Sequence, residues 1–147
     1  MSKANMTLSR RWIEEGLNKG NVDLMDELFE AKCVYHGPFG ETVRGRKAMK
    51  QMVAAWLTAF PGAHCTIDDM VSAGDKVIGH FAFTGTHRGE FLGVAPTGKR
   101  VKVKGIVMSR FSGGKLVEDW EFFDTLGLFQ QLGAVPPVGQ SKEQTAG

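Results

Sequence analysis

An α+β fold, with helices gathered early in the chain and a curved antiparallel sheet after them, is predicted by three features of the sequence. Apolar residues recur at helical spacing as far as Phe60, the period falls to two from Cys65 to Phe123, and Pro61-Gly62 stands at the change. Helices first and a strand meander second is the order of a segregated α+β domain, in which the helices cover one face of the sheet.

The first helix is expected around Leu8, Trp12, Ile13 and Leu17, which fall on one face, and Lys19-Gly20-Asn21 ends it. Gly16 weakens it. Asn21 is placed to cap a second short helix over VDLMDELF. Ala31 to His36 reads as a short strand, closed by Gly37, Pro38 and Gly40. Arg46 to Phe60 is the longest helix, with Met49, Met52, Val53, Trp56 and Phe60 at helical spacing. Four strands follow, over Cys65 to Val71, Lys76 to His87, Lys99 to Phe111 and Lys115 to Phe123. A short helix is expected after Asp124, which is placed to cap it. Residues 1–133 are expected to form a single domain, with 134–147 as a loose tail poor in large apolar residues.

A chain of 147 residues with 42% hydrophobic content is long enough to bury a core of its own. Its 18 Lys and Arg against 16 Asp and Glu leave a net charge of +2, which gives no reason to expect nucleic acid or an anionic membrane as partner. Cys33 and Cys65 have neither metal-finger nor CxxC spacing and read as reduced, buried thiols. No apolar run reaches the ~18 residues of a membrane span, and MSKANMTLSRR has no signal-peptide core. A cytoplasmic protein that does not enter a membrane is expected.

Period-two alternation sorts the strands by face. Val101, Val103, Gly105, Val107 and Ser109 share one face, as do Val117, Asp119, Glu121 and Phe123 on the next strand, with Leu116, Glu118, Trp120 and Phe122 opposite. Both faces carry large apolar groups. One suits the helices, and the other predicts a homodimer through the sheet. On Lys76 to His87 the two histidines, His80 and His87, fall on opposite faces, so at most one lines a given cavity.

Three stretches together, GTHRGEFLGVAPTGKRV, GIVMSRFSGGKLVEDWEFFDTLGLFQQLG and the earlier AFPG, resemble the SnoaL-like polyketide cyclases, also called predicted ester cyclases. The resemblance spans roughly residues 8–133. It implies the cone-shaped α+β fold of the nuclear transport factor 2-like superfamily, with about three N-terminal helices on the concave face. It also implies an intramolecular aldol closure of a polyketide ester, without metal or organic cofactor. In such cyclases the acid lies in the sequence EHWD. Here the matching segment is Glu118-Asp119-Trp120-Glu121, so Glu121 stands at the Asp position and Asp119 at the His position, while Val107 occupies a place on the preceding strand that is often His or Asp.

Asp119 and Glu121, at i and i+2, are roughly 7 Å apart along the strand. In an apolar cavity two such carboxyls do not both ionise easily, leaving an acid beside a base at neutral pH. That pair suits enolisation, aldol closure, isomerisation or dehydration of a carbonyl compound. Glu121 and Asp119 are therefore the expected acid and base, with His36 or His80 as an auxiliary donor. Trp12, Trp56, Phe60, Phe83, His87, Val107 and Phe123 are the expected contacts of a small hydrophobic ligand. Two other readings stay open. The acidic pair can instead bind Arg44, Arg46, Lys99 or Arg100 as ion pairs, and the domain can serve as a small-molecule binding or dimerisation module without turnover. His87 suits either a ligand contact or a bond that orders its loop. The phosphate loop, dinucleotide fingerprint, HExxH and Gly-x-Ser-x-Gly motifs are missing, and neither a cofactor nor a metal is expected.

Overall fold

The computed structural model describes residues 2–136, so residues 137–147, most of the expected tail, lie outside the described residues. Helix α1 (Ser2–Arg11) continues into a π-helical segment (Trp12–Leu17). A 3₁₀ turn (Val22–Leu24) leads into the short α2 (Met25–Leu28), and then come β1 (Phe29–His36), β2 (Thr42–Arg44) and the long α3 (Arg46–Ala59). Strands β3 (His64–Ala73), β4 (Lys76–Thr86), β5 (Arg100–Ser112) and β6 (Lys115–Phe123) precede the last helix, α4 (Thr125–Leu132).

The widening of the first helix has a local cause. A Cβ on Gly16 would lie 2.2 Å from Cε3 of Trp12, so glycine there lets the indole lie against the helix backbone. A widened turn at a ligand-facing wall is a common use of the π geometry. Asn18 then ties this segment to the sheet edge: its side-chain amide donates to the Cys65 carbonyl at 2.9 Å and accepts from the Cys65 N–H at 2.7 Å.

The six strands form one open sheet in the order β2-β1-β6-β5-β4-β3. From β3 to β6 the neighbours are antiparallel, as the turns between them require. The sheet as a whole is mixed rather than wholly antiparallel, because β1 pairs with β6 in parallel, with Tyr35 opposite Asp119 and His36 opposite Trp120. The physical reason is connectivity. A hairpin is written into adjacent sequence, whereas β1 reaches β6 only after the whole α3 and β3–β5 excursion has folded back.

A bulge also changes one face assignment. Arg110 faces Glu118 but Phe111 faces Leu116, so Val117 is the extra residue and Leu116 turns inward, where it is buried against Phe111. The helices α1 to α3 pack on the inner face of the sheet. At one end of the core Trp56, Phe60, Phe83 and Phe91 pack ring on ring, with Trp56 and Phe91 centroids 4.6 Å apart. Among the described residues no helix is long and apolar enough to cross a membrane.

Asp124 caps α4 as the sequence suggests, its side chain accepting from the Gly127 N–H at 2.9 Å. Asp124→Ala removes this cap and is expected to cost about 1 kcal/mol in urea unfolding, while Asp124→Asn restores most of the loss.

Candidate active site

Between the helices and the inner face of the sheet lies a cavity of about 170 Å³. Its walls are almost entirely apolar: Trp12 comes from the π segment, Met49, Val53 and Trp56 from α3, and Phe81 and Phe83 from β4. Asp119, Glu121, Ser109 and Tyr35 also line it, gathered on neighbouring strands β1, β5 and β6, and Ser9 and Asn18 add polar groups from the helical side.

The register accounts for this gathering. Tyr35 sits opposite Asp119 across the parallel pair, and Ser109 sits opposite Asp119 across the antiparallel pair. Ser109 Oγ donates to Asp119 Oδ1, and the Tyr35 hydroxyl donates to Glu121 Oε1 at 2.5 Å. Each carboxyl thus has one oxygen held by a neutral hydroxyl. No cation pairs with either acid among the described residues, and the expected alternative of an ion pair is not formed. Arg46 instead holds the Phe29 carbonyl at 3.0 Å and lies 3.5 Å from Asp26.

Burial without a cation disfavours the charged form. Desolvation pushes Asp119 up to about 7; its bond from Ser109 opposes the rise and the charge of Glu121 adds to it. Glu121 is raised for the same main reason, although the Tyr35 hydroxyl favours its ionised form and nearby Glu41 disfavours it. Tyr35 is raised well above the usual phenol range, by burial first and then by Glu121, so it stays a donor at any working pH. Cys65, another lining residue, is pushed up to about 12 by burial and remains a thiol.

The structure separates the expected histidines from the acids. His36 lies on the outer face, stacked on Trp120, with Nε2 2.7 Å from Glu118 Oε2. Glu118 also accepts from Arg110 at 3.1 Å, and these two partners, His36 first, lower its pKa. His80, opposite Ile106 in the row that continues to Phe122, also faces outward, because Gly79 and Phe81 take the inward positions on β4. Neither can reach Asp119 or Glu121 through the sheet, so the auxiliary-donor role expected for them is not supported. The Tyr35 hydroxyl, and neither imidazole, reaches Glu121.

His87 is fully buried but does not line the cavity. Its Nδ1 accepts from the Thr97 N–H at 3.2 Å, its own N–H donates to the Lys99 carbonyl at 2.8 Å, and its carbonyl accepts from Gly98 at 2.8 Å. These bonds close the loop between β4 and β5, so His87 orders its loop and makes no contact with the cavity. Phe60 likewise lies beneath the cavity wall, fully buried against Trp56 and His87, whereas Trp12, Trp56, Phe83, Val107 and Phe123 line the cavity as expected.

Tyr35 and Ser109 were not singled out by sequence reasoning. Both had a signal: Ser109 is polar on an otherwise apolar strand face, and Tyr35, the only tyrosine, falls on the inward face of its strand, where a buried phenol needs a partner. Among the described residues no three His, Cys, Asp or Glu side chains come together as a metal-binding group.

A helix-covered, strongly curved sheet with its acids inside the cone defines a protein of the nuclear transport factor 2-like fold. Residues 7–132 match the family model for the SnoaL-like polyketide cyclases, and the chain belongs to that family. A candidate hydroxylase from Streptomyces galilaeus superposes with a TM-score of 0.86 at 25% identity, covering 99% of this chain and 91% of that one. A candidate polyketide cyclase from Streptomyces antibioticus is 29% identical with a TM-score of 0.76, covering 87% of this chain and 97% of that one. Another, from Acidithiobacillus ferrooxidans, is 28% identical with a TM-score of 0.77, covering 90% and 95%. No curated protein matches.

The raised Asp119 gives stability a pH dependence of known sign. The folded protein holds this proton more tightly than the unfolded chain, whose value is near 3.8, so the contribution is full below that value and is lost as pH rises through about 7. Asp119→Asn is expected to flatten the fall in urea-unfolding free energy between those two pH values. An unchanged slope in the variant would show that Asp119 titrates normally.

Proposed function

We propose that this protein performs cofactor-independent acid/base chemistry on a small hydrophobic carbonyl compound held in the cavity, with enolisation as the shared first step of cyclisation or isomerisation. The observation that carries the reading is the pair of cation-free carboxyls inside an apolar cavity, each held by one hydroxyl. Family membership supports it, as do relatives named as candidate polyketide cyclases.

The roles follow from which oxygens are occupied. Tyr35 donates to Oε1 of Glu121, which leaves Oε2 as the base for a proton α to the substrate carbonyl, and burial makes that carboxylate a stronger base than an exposed one. Ser109 donates to Oδ1 of Asp119, so the proton that burial retains on this acid sits on Oδ2. Transfer of that proton to the carbonyl oxygen gives the neutral enol while Glu121 takes the carbon-bound proton. In an aldol cyclisation the enol carbon then bonds to a second carbonyl, whose oxygen takes the proton from Glu121 while the enol O–H returns its proton to Asp119. In an isomerisation of a β,γ-unsaturated compound Glu121 returns its proton to the γ-carbon instead. The apolar walls lower the local dielectric around both hydrogen bonds and so strengthen them.

The sheet's outer face supports a homodimer. Val71, Ile106 and Phe122 are 52%, 49% and 66% exposed, and the cross-strand register sets them beside Ile78, Met108 and Trp120 in one apolar area. Light scattering is expected to give twice the chain mass for the wild type and the chain mass for Phe122→Lys; a monomeric wild type would remove the dimer.

Deuterium wash-in at the α-carbon of acetophenone, followed by NMR, tests the chemistry. Exchange above the buffer rate is expected, reduced about a hundredfold in Glu121→Gln. Its pH profile is expected to be bell-shaped, with a falling limb as Asp119 loses its proton through about 7, and Asp119→Asn loses that limb. Acetophenone that binds without exchanging would leave a binding module with no turnover.

A further inference from the structure

The cavity floor beside Glu121 follows one register row. Glu121 on β6 faces Val107 on β5, Val107 faces Gly79 on β4, and Gly79 faces Met70 on β3. All four line the cavity. In this row the acid stands at one end, and two strand spacings away, about 10 Å, a side chain is missing.

Three glycines occupy inward positions on β4 and β5, and they differ in what a side chain would meet. At Gly105 a Cβ would come within 2.6 Å of the Phe122 carbonyl and 2.8 Å of Phe81, and at Gly85 within 3.1 Å of Phe60. Those two are filled by their neighbours. At Gly79 a Cβ would meet only Val107 Cγ1 at 3.7 Å and Met70 Cε at 4.0 Å, ordinary contacts, and its φ is not in the left-handed region. Neither backbone conformation nor crowding requires glycine at this position. What the missing side chain leaves is space on the cavity floor.

The volume sets the scale of what that space can receive. About 170 Å³ is close to the ~150 Å³ of an apolar cavity that holds one benzene, and it is below the ~300 Å³ at which pockets for drug-sized ligands begin. A fused four-ring skeleton exceeds it. The walls supply no cation for an anionic substituent, and the acids that supply the polar contacts are held toward their neutral forms by burial.

We propose that Gly79 is the size-determining residue of the site, and that the ligand is an uncharged one-ring carbonyl compound whose ring lies over Gly79 with its oxygen toward Asp119 and Glu121. This rests on the reading of the cavity as a carbonyl site, but it concerns occupancy and not turnover. A side chain at Gly79 shortens the floor from the far end, and a smaller one at Val107 opens it beside the acid. Adding or removing one methyl in such a pocket changes discrimination by about tenfold.

Quenching of tryptophan fluorescence tests this, since Trp12 and Trp56 line the cavity. The probes are acetophenone, 2-acetylnaphthalene and a four-ring steroid ketone, titrated into the full chain. The wild type is expected to bind acetophenone saturably and the steroid not at all. Gly79→Ala weakens acetophenone about tenfold, Gly79→Val abolishes its binding, and Val107→Ala gains about tenfold for 2-acetylnaphthalene. Circular dichroism confirms that each variant is folded, and the opposite directions at the two positions separate a size effect from loss of structure. The proposal is overturned by unchanged acetophenone affinity in both Gly79 variants, by no gain in Val107→Ala, by wild-type preference for the steroid, or by no acetophenone binding. Saturable binding with the expected size series but no α-exchange would overturn the catalytic reading alone, and exchange without the size series would overturn this one alone.

Discussion

The parallel pairing of β1 with β6 is the join on which the cavity depends. It brings two strands from opposite ends of the fold side by side and sets Tyr35 against Asp119, one inward position from Glu121. Without that register the Tyr35 hydroxyl would have no carboxylate to meet, and Glu121 would sit in an apolar cavity with neither oxygen held. The same pairing places β2 at the sheet edge and leaves the inner face wide enough for α3 to lie across it.

Electrostatics in the site follow from what is absent beside the acids. Arginines are present nearby, but each is engaged elsewhere: Arg110 with Glu118 on the outer face, and Arg46 with the Phe29 carbonyl and Asp26. The sheet separates the two charge populations, keeping His36, Arg110 and Glu118 on one side and the hydroxyl-held acids on the other. Neutral hydroxyl donors hold a carboxyl in place without forcing it to ionise, whereas a guanidinium would depress its pKa and remove its use as an acid. That distinction leaves burial as the main influence on both carboxyls.

Aromatic packing determines the shape of the space around the acids. Trp56, Phe60, Phe83 and Phe91 fill one end of the cone, with the loop that His87 closes laid over them. The other end is bounded by methionines and by the π segment, where Gly16 lets Trp12 fold back on the backbone. Packed rings hold one wall rigid, and unbranched thioether side chains on the other can adapt to a ligand's outline. Gly79 adds a fixed hollow between them.

The helix-then-meander order, the four strands in sequence, the Asp124 cap and the common strand face of Asp119 and Glu121 were legible in the sequence, because each rests on local periodicity or on a turn that joins neighbours. Family membership was legible for a related reason: the motifs around residues 85–100 and 105–133 are contiguous. Tertiary structure alone decided the β1–β6 pairing, the inward turn of Leu116 at the bulge, the outward placement of His36 and His80, and the partnership of Tyr35 with Glu121. Those depend on contacts between residues far apart in the chain, and alternation within one strand cannot say which strand lies beside it or which of its faces turns inward.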